Sequence, residues 1–412
     1  MRIAAPALNP SRPEPMPMPT PTQPQERQMR ILVVDDLEIN RDLLVRRIRR
    51  LGHEAGVAVN GRDALDKLHR QDWDLVLLDI TMPEMDGYET LQRIRATPPL
   101  AQLPVVMVSA IDESESVVRC LELGADDYLP KPFNPVVLHA RIESSLAKKR
   151  LQDQKSQLLQ ALSRELQIGQ RIQQGFLPAE LPSLQGWSLG ARCTPARQVG
   201  GDFYDAYLLP GGALALVVAD VCDKGVGAAL YMALFRTLLR AMACQEKPTE
   251  APSTTLVRSV AFANDYIATV HGHENMFATL FFALLEPDSG RMHYLNAGHE
   301  APFVLQAEGE TAARLGITGP AVGLMPGNRC AVRTLTMQPG ARLLLYTDGA
   351  SEALGMSGPF GEEALGHALA RQAGSAQALV DDVCAQLAVH VGAFEPHDDV
   401  TLLGLTRELP EQ

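Results

Sequence analysis

Apolar runs that end in a polar residue recur through the first third of the chain. Ile31 to Val34 leads into Asp35-Asp36, Leu75 to Leu78 into Asp79, and Val105 to Val108 into Ser109. A fourth run, Tyr128-Leu129-Pro130, leads into Lys131. The run before Asp35 is followed by a helical pattern from about Asn40 to Leu51. Unbroken apolar strands separated by helices predict a parallel sheet covered on both faces, a doubly wound (flavodoxin-like) α/β domain. In such a sheet the ligand crevice lies at the carboxyl ends of the strands, where the polar residues collect.

From about Pro135 to Phe176 the pattern becomes helical. Leu138, Ile142, Leu146, Leu158, Leu162, Leu166, Ile172 and Phe176 recur at three- and four-residue steps. One long helix is expected, with a coiled-coil dimer through its apolar stripe, although Lys155 and Gly169 interrupt the seam. Beyond Pro178 short β-like runs take over: 213–219, 279–285, 291–296, 302–305, 331–337, 342–346 and 400–405. Helical stretches at 226–244, 253–270 and 375–392 lie between them. Strands with segregated helices predict an α+β fold.

Composition narrows the picture. The chain has 412 residues, 46% apolar and 21% charged, with 37 basic against 49 acidic side chains and a net charge of −12. Two or three domains are expected. A general nucleic-acid binder would carry a basic footprint, so none is expected. Six scattered cysteines with no CxxC pair suggest neither zinc nor a disulfide framework and point to a reducing cytoplasm. The longest apolar run, 213–222, is broken by Asp220, and residues 1–28 are proline-rich without an apolar signal core. The tail is expected to be disordered, with neither export nor membrane insertion.

The first set of polar residues has a definite chemistry. Asp35, Asp36 and Asp79 brought together would repel one another and need a cation. Hard oxygen ligands suit Mg²⁺. A carboxylate beside Mg²⁺ and Lys131 is a good nucleophile toward phosphorus, and Ser109 could hydrogen-bond the transferred group. The segments VVDD, LLDITMPEMDG, VSA and YLPKPF together resemble the response-regulator receiver family, across residues 29–145. The resemblance implies Asp79 as phosphoacceptor, Asp35, Asp36 and Asp79 on Mg²⁺ with the Thr81 carbonyl as a further ligand, and Ser109, Tyr128 and Lys131 as the switch residues. It also implies a cognate histidine kinase.

The second set is more acidic. Asp202 follows two glycines, Asp220 ends an apolar run, and Asp348 follows another. Asp398-Asp399 immediately precede a third. A carboxylate-rich pit between two sheets would favour Mg²⁺ or Mn²⁺ over zinc, and two such ions could activate water and clamp a phosphate. No GxSxG elbow, Walker loop or kinase HRD–DFG pair is present. In order, IQQGFLPAELP, PARQVGGDFYD, VVADVCDKGVGAAL, LNAGHEAP, YTDGASEA and HDDVTLL resemble the type 2C metal-dependent protein phosphatases in their SpoIIE-like branch, from about Glu165 to Leu405. That resemblance implies two antiparallel sheets flanked by helices. It makes Asp202, Asp220, Asp348 and Asp398 catalytic metal ligands, with Asp220 bridging two ions and the Val221 carbonyl contributing. Asp398 is favoured over Asp399, which remains the alternative.

The expected organisation is a tail (1–28), a receiver (29–145), a helical or coiled-coil linker (146–176) and a phosphatase domain (177–409). The expected function is a two-component response regulator. Aspartate phosphorylation would control a Mn/Mg-dependent phosphoserine/phosphothreonine protein phosphatase. The resemblance implies an anti-sigma-factor antagonist as the phosphorylated substrate, and the linker stripe a homodimer. The alternative is a phosphorylation-controlled adaptor that binds a partner without hydrolysis.

Overall fold

The structure is a computed structural model that describes residues 28–110, 114–245, 250–306, 312–371 and 374–409. Nearly all of the proline-rich tail lies outside the described residues. The chain divides into two compact units, residues 1–160 and 161–412.

In the first unit, strands and helices alternate: β1 (Arg30–Val34), α1 (Glu38–Arg50), β2 (Glu54–Ala58), α2 (Gly61–Arg70), β3 (Leu75–Asp79) and α3 (Gly87–Ala96). Then come β4 (Val105–Ser109), α4 (Ser114–Glu122), β5 (Asp127–Pro130) and α5 (Pro135–Gln174). The five strands pair in parallel in the order β2-β1-β3-β4-β5. Alternate residues serve two cores. Leu32, Val34, Val76, Leu78, Val105 and Met107 pack on one face, while Ile31, Val33, Leu75, Leu77, Val106 and Val108 pack on the other. Both faces are dry, which is why the strands read as unbroken apolar runs. β2 has no such run: its Glu54 and Val57 are exposed at the edge of the sheet, and the sequence reading passed over it.

α5 is one helix of 40 residues, about 60 Å long at 1.5 Å per residue. The apolar stripe along it does not have one fate. Leu138, Ile142 and Leu146 are buried against the receiver sheet, whereas Leu158, Leu162 and Ile172 are exposed.

The second unit opens with β6 (Trp187–Thr194), β7 (Phe203–Leu208), β8 (Leu214–Val221), α6 (Val226–Ala243) and α7 (Pro252–Val270). β9 (Ala278–Glu286), β10 (Arg291–Ala297), β11 (Phe303–Leu305), β12 (Ala313–Arg314), β13 (Arg333–Thr336) and β14 (Arg342–Tyr346) follow. The unit ends with α8 (Asp348–Ser351), a small hairpin of β15 (Leu354–Gly355) and β16 (Gly358–Pro359), α9 (Glu362–Ala370), α10 (Ala376–Val391) and β17 (Val400–Arg407). Two antiparallel sheets form, β13-β10-β9-β8-β7 and β12-β11-β14-β17-β6. Leu216, Val218, Phe281 and Ala283 of the first meet Leu343, Leu345, Leu403 and Leu405 of the second in the central core. The intervening residues of each strand face outward under helices. Val217, Phe282 and Leu284 lie with residues of α6 and α7, and Leu344, Tyr346 and Leu402 with residues of α9 and α10. Four layers result, with the strand ends of both sheets free to carry function.

By length and composition α6 is apolar enough to cross a membrane. Its Ala228, Met232, Phe235, Leu239 and Ala243 recur on one face and are buried in the outer core of the first sheet. All six cysteines are free thiols.

Candidate functional site

Each unit gathers acidic side chains at strand ends. In the receiver, Asp35 ends just past β1, Asp79 is the last residue of β3, and Lys131 follows β5. The Lys131 ammonium lies 2.8 Å from Asp35 Oδ2 and 3.0 Å from Asp79 Oδ1. Ligand oxygens of Asp35, Asp36 and Asp79 all fall within 4.8 Å of one another, with Asp35 and Asp79 buried and Asp36 exposed. Burial pushes the Asp79 carboxyl up to about 6, against the pull of Lys131. A buried anionic pair held by one cation fits a small divalent ion that completes the neutralisation. Asp35 is fixed by the Leu37 N–H at 2.9 Å and by the Asn40 amide at 3.1 Å. Asn40 was not anticipated from the sequence, where a single amide in a helix carries no signal. Ser109 is buried at the end of β4, Tyr128 is buried on β5, and Thr81 is exposed after β3.

In the second unit, Asp202 precedes β7, Asp220 is the penultimate residue of β8, Asp348 opens α8, and Asp398-Asp399 precede β17. Asp202 is buried, and its Oδ2 accepts the Thr347 hydroxyl at 2.7 Å. The same hydroxyl oxygen accepts the Thr401 N–H at 3.0 Å, tying the ends of β14 and β17 to Asp202. Thr347 lies inside the YTDG segment, but its role needed the fold to be seen.

These carboxylates feel one another. Burial, then Asp348 and Asp398, push Asp220 up to about 7. Burial and Asp220 push Asp202 well up, and burial and Asp398 push Asp348 up. Lys224 lies 2.7 Å from Asp398 Oδ2 and also draws Asp348 down. These shifts show carboxylates packed closely enough to disfavour one another's charge, a strain that divalent cations would relieve. The donors are carboxylate oxygens, suited to Mg²⁺ or Mn²⁺. The Val221 carbonyl faces the backbone of Gly201, where a Cβ would lie 2.6 Å from it.

The two adjacent aspartates differ sharply. Asp398 is half-exposed and turned to Lys224, within electrostatic reach of Asp220 and Asp348. Asp399 is buried. Its Oδ1 accepts the Ala196 N–H and its Oδ2 the Gly201 N–H, both at 2.8 Å. A Cβ on Gly200 would stand 1.9 Å from Asp399 Oδ2, so glycine is required there. Gly200 is also gripped from the last turn of α5. Gln173, itself buried, donates from Nε2 to the Gly200 carbonyl at 2.5 Å and accepts its N–H at 3.2 Å.

Other residues take structural places. Asp223 has φ of +73°, a left-handed conformation that a non-glycine residue seldom adopts. Its carboxylate accepts the Lys224 N–H at 2.8 Å. His299 is buried, held 2.8 Å from the Thr279 hydroxyl, and burial lowers it to about 4, so its ring is neutral. Thr279 is the cross-strand partner of Asp220, which places His299 behind that residue.

Comparison with known proteins agrees with this geometry. Residues 31–143 match the response regulator receiver domain, and residues 210–408 match the stage II sporulation protein E (SpoIIE) family. Protein IcfG of Synechocystis is 40% identical over 263 residues, covering 59% of this chain and 41% of IcfG. The probable transcriptional regulator ycf27 of Cyanidium caldarium is 40% identical over 133 residues, 32% of this chain and 51% of that protein. The chain thus spans about half the length of these relatives or less. The SiaA-PP2C domain of Pseudomonas aeruginosa superposes with a TM-score of 0.51 at 19% identity, over 60% of this chain and 98% of that one, a likeness of fold. The parallel receiver sheet with its Asp79–Lys131 crevice and the four-layered unit with its acidic strand ends therefore make this chain a response-regulator receiver domain joined to a SpoIIE-type phosphatase domain of the PP2C fold.

Proposed function

We propose that the chain is a two-component response regulator in which phosphorylation of Asp79 controls a metal-dependent phosphoserine/phosphothreonine protein phosphatase. The observation that carries the catalytic half is the collection of Asp202, Asp220, Asp348 and Asp398 at the strand ends, where burial and neighbouring carboxylates raise the first three above the ordinary carboxyl range. Buried carboxylates that repel one another are costly unless divalent cations neutralise them. In this reading Asp202, Asp220, Asp348 and Asp398 would hold two Mn²⁺ or Mg²⁺ ions, with the Val221 carbonyl as an added donor. When bound, the ions supply the positive field that orients phosphate and activates water. Asp399 holds the Ala196–Gly201 loop in place and so positions Asp202. Lys224, 2.7 Å from Asp398 Oδ2, places a positive charge at the rim of the site, where it would suit a phosphate oxygen.

In the receiver, Asp79 is the phosphoacceptor. Asp35, Asp36 and the Thr81 carbonyl hold Mg²⁺ with it, and Lys131 steadies the transferred group. Ser109 and Tyr128 respond to it. The phosphodonor is a histidine kinase. The substrate is a phosphoprotein, and the SpoIIE-like resemblance favours an anti-sigma-factor antagonist. Exposed Leu158, Leu162 and Ile172 support pairing of the linker helix in a homodimer, since such a stripe is costly in water. Gln173 gives that helix a direct hold on the Gly200–Asp202 segment.

The test is hydrolysis of p-nitrophenyl phosphate and of phosphoserine and phosphothreonine peptides by the full chain. Mn²⁺ and Mg²⁺ are titrated, with and without acetyl phosphate. Metal-dependent turnover that responds to acetyl phosphate supports the reading. Absence of turnover with every divalent ion refutes it in favour of an adaptor.

A further inference from the structure

A largely apolar recess of about 680 Å³ opens beside the acidic cluster. Its walls include Leu354 and Pro359 of the β15–β16 hairpin, Leu387, Ala388 and Val391 of α10, and Val400 at the start of β17. Asp398, a candidate metal ligand, and Gly349, next to Asp348, line the same recess. The size falls in the ~300–1,000 Å³ range of built ligand sites, enough to enclose side chains of a bound segment. Around it the hairpin, α10 and the loop after α10 leave Leu354 42%, Met356 94%, Val389 84% and Phe394 48% exposed. The acidic cluster needs none of these apolar groups, so the hydrolytic chemistry leaves this surface unexplained.

We propose that this recess is the specificity pocket of the phosphatase, receiving an apolar side chain of the phosphoprotein substrate close to its phosphorylated residue. The inference rests on the phosphatase reading and adds a substrate preference to it. A phosphoseryl side chain is short, so with its phosphate at the carboxylates the substrate backbone must run along the rim of the site. An extended chain advances about 3.3 Å per residue, so a residue two or three positions away stands roughly 7–10 Å along that rim. Asp398 lines the recess and is also within electrostatic reach of Asp220 and Asp348, which puts the recess beside the path of that neighbour. A leucine or another large aliphatic residue entering there leaves water for Leu354, Leu387 and Val391, a gain that a serine at the same position lacks.

The experiment uses the full chain with Mn²⁺ and fluorescein-labelled phosphoserine peptides. A single Leu is scanned from four residues before to four residues after the phosphoserine in a Gly/Ser background. Hydrolysis is read as KM and kcat, and binding as fluorescence polarisation. For the wild type, one or two Leu positions should lower KM by about tenfold relative to the all-Gly/Ser peptide, with kcat little changed. Two variants fill or charge the recess from exposed positions, Ala388→Arg on α10 and Leu354→Lys on the hairpin. Each should abolish the Leu preference while leaving p-nitrophenyl phosphate turnover within about twofold, because uniform binding is removed and the chemistry is not touched. Equal KM for every peptide with the wild-type protein overturns the proposal, even if both variants misfold. So does a Leu preference that survives both substitutions. If the variants change the sedimentation coefficient and leave peptide selectivity intact, the recess belongs to a second copy of the chain and the proposal falls. Leu-dependent binding that is lost in the variants, with no hydrolysis by the wild type, would retire the phosphatase reading and leave the pocket standing.

Discussion

Asp398 and Asp399 are adjacent in sequence, yet replacing each by asparagine should separate metal chemistry from stability. Asp399 is buried, and its two oxygens each accept a backbone N–H at 2.8 Å, from Ala196 and Gly201. An asparagine has one acceptor oxygen. It keeps one of these bonds as a neutral contact and turns its NH₂ against the other N–H. Weakening a charge-assisted bond and leaving one buried donor opposed together cost roughly 3 kcal/mol. For a unit of 150–250 residues, that is a fall of about 6–12 °C in its unfolding temperature. Asp398 instead pairs with Lys224 at 2.7 Å, with side chains 38% and 41% exposed. Such a pair contributes about 0–1 kcal/mol, so Asp398→Asn should move that temperature by no more than about 4 °C. Its effect should fall on the Mn²⁺ concentration needed for turnover, since a ligand is lost. Calorimetry of the full chain and Mn²⁺ titration of p-nitrophenyl phosphate hydrolysis read the two effects separately. If Asp399→Asn keeps its unfolding temperature but needs far more Mn²⁺, while Asp398→Asn behaves as wild type, the assignment is reversed.

Asp220→Ala should abolish turnover and weaken Mn²⁺ binding measured by calorimetric titration; near-normal activity would contradict the bridging role. Intact-mass measurement after acetyl phosphate and Mg²⁺ should show one added phosphoryl group on the wild type and none on Asp79→Ala. A pH effect follows from the raised carboxyls. Because Asp220 is held at about 7, above its ordinary value, the metal-free fold binds a proton more tightly than the unfolded chain does. Metal-free stability should therefore rise as pH falls through about 7 toward the ordinary carboxyl range, and Mn²⁺, which displaces the proton, should stabilise more at about pH 7.5 than at about 5.5. Equal Mn²⁺-induced shifts in unfolding temperature at both pH values would refute this. Charged substitutions at exposed Leu158 and Leu162 should uncouple turnover from Asp79 phosphorylation and leave p-nitrophenyl phosphate hydrolysis without phosphodonor unchanged. A full phosphorylation response in those variants would make the helix a passive tether.

Local pattern was enough wherever a residue's environment follows from its neighbours in sequence. The receiver strands are dry on both faces, so Ile31–Val34, Leu75–Leu78 and Val105–Val108 announced themselves as apolar runs. The placing of Asp35, Asp79 and Lys131 at successive strand ends followed from that parallel order. Arg342–Tyr346, buried along its whole length, was legible for the same reason, and α6 and α7, between β8 and β9, by their helical periodicity. β6 and β7 were not: their residues alternate between the central core and other surroundings, and Ser188, Gly190, Arg192 and Asp205 dilute the signal. The roles within the HDD segment were undecidable from sequence, because two aspartates one residue apart have identical local chemistry. What distinguishes them is the Ala196–Gly201 loop, some 200 residues away along the chain, whose N–H groups converge on Asp399 and leave Asp398 to Lys224. Gln173 and Thr347 acquire partners only through such long-range closure. The linker helix shows the same limit: its apolar positions recur along its length, but Leu138, Ile142 and Leu146 are covered by the receiver sheet while Leu158, Leu162 and Ile172 are exposed. The sequence by itself determined which elements form and which carboxylates stand at their ends, since periodicity and strand-end position are local properties. Only the tertiary structure decided which carboxylate is free for a cation, which is consumed by backbone N–H groups, and where an apolar recess opens beside them, since those depend on groups brought together across the whole domain.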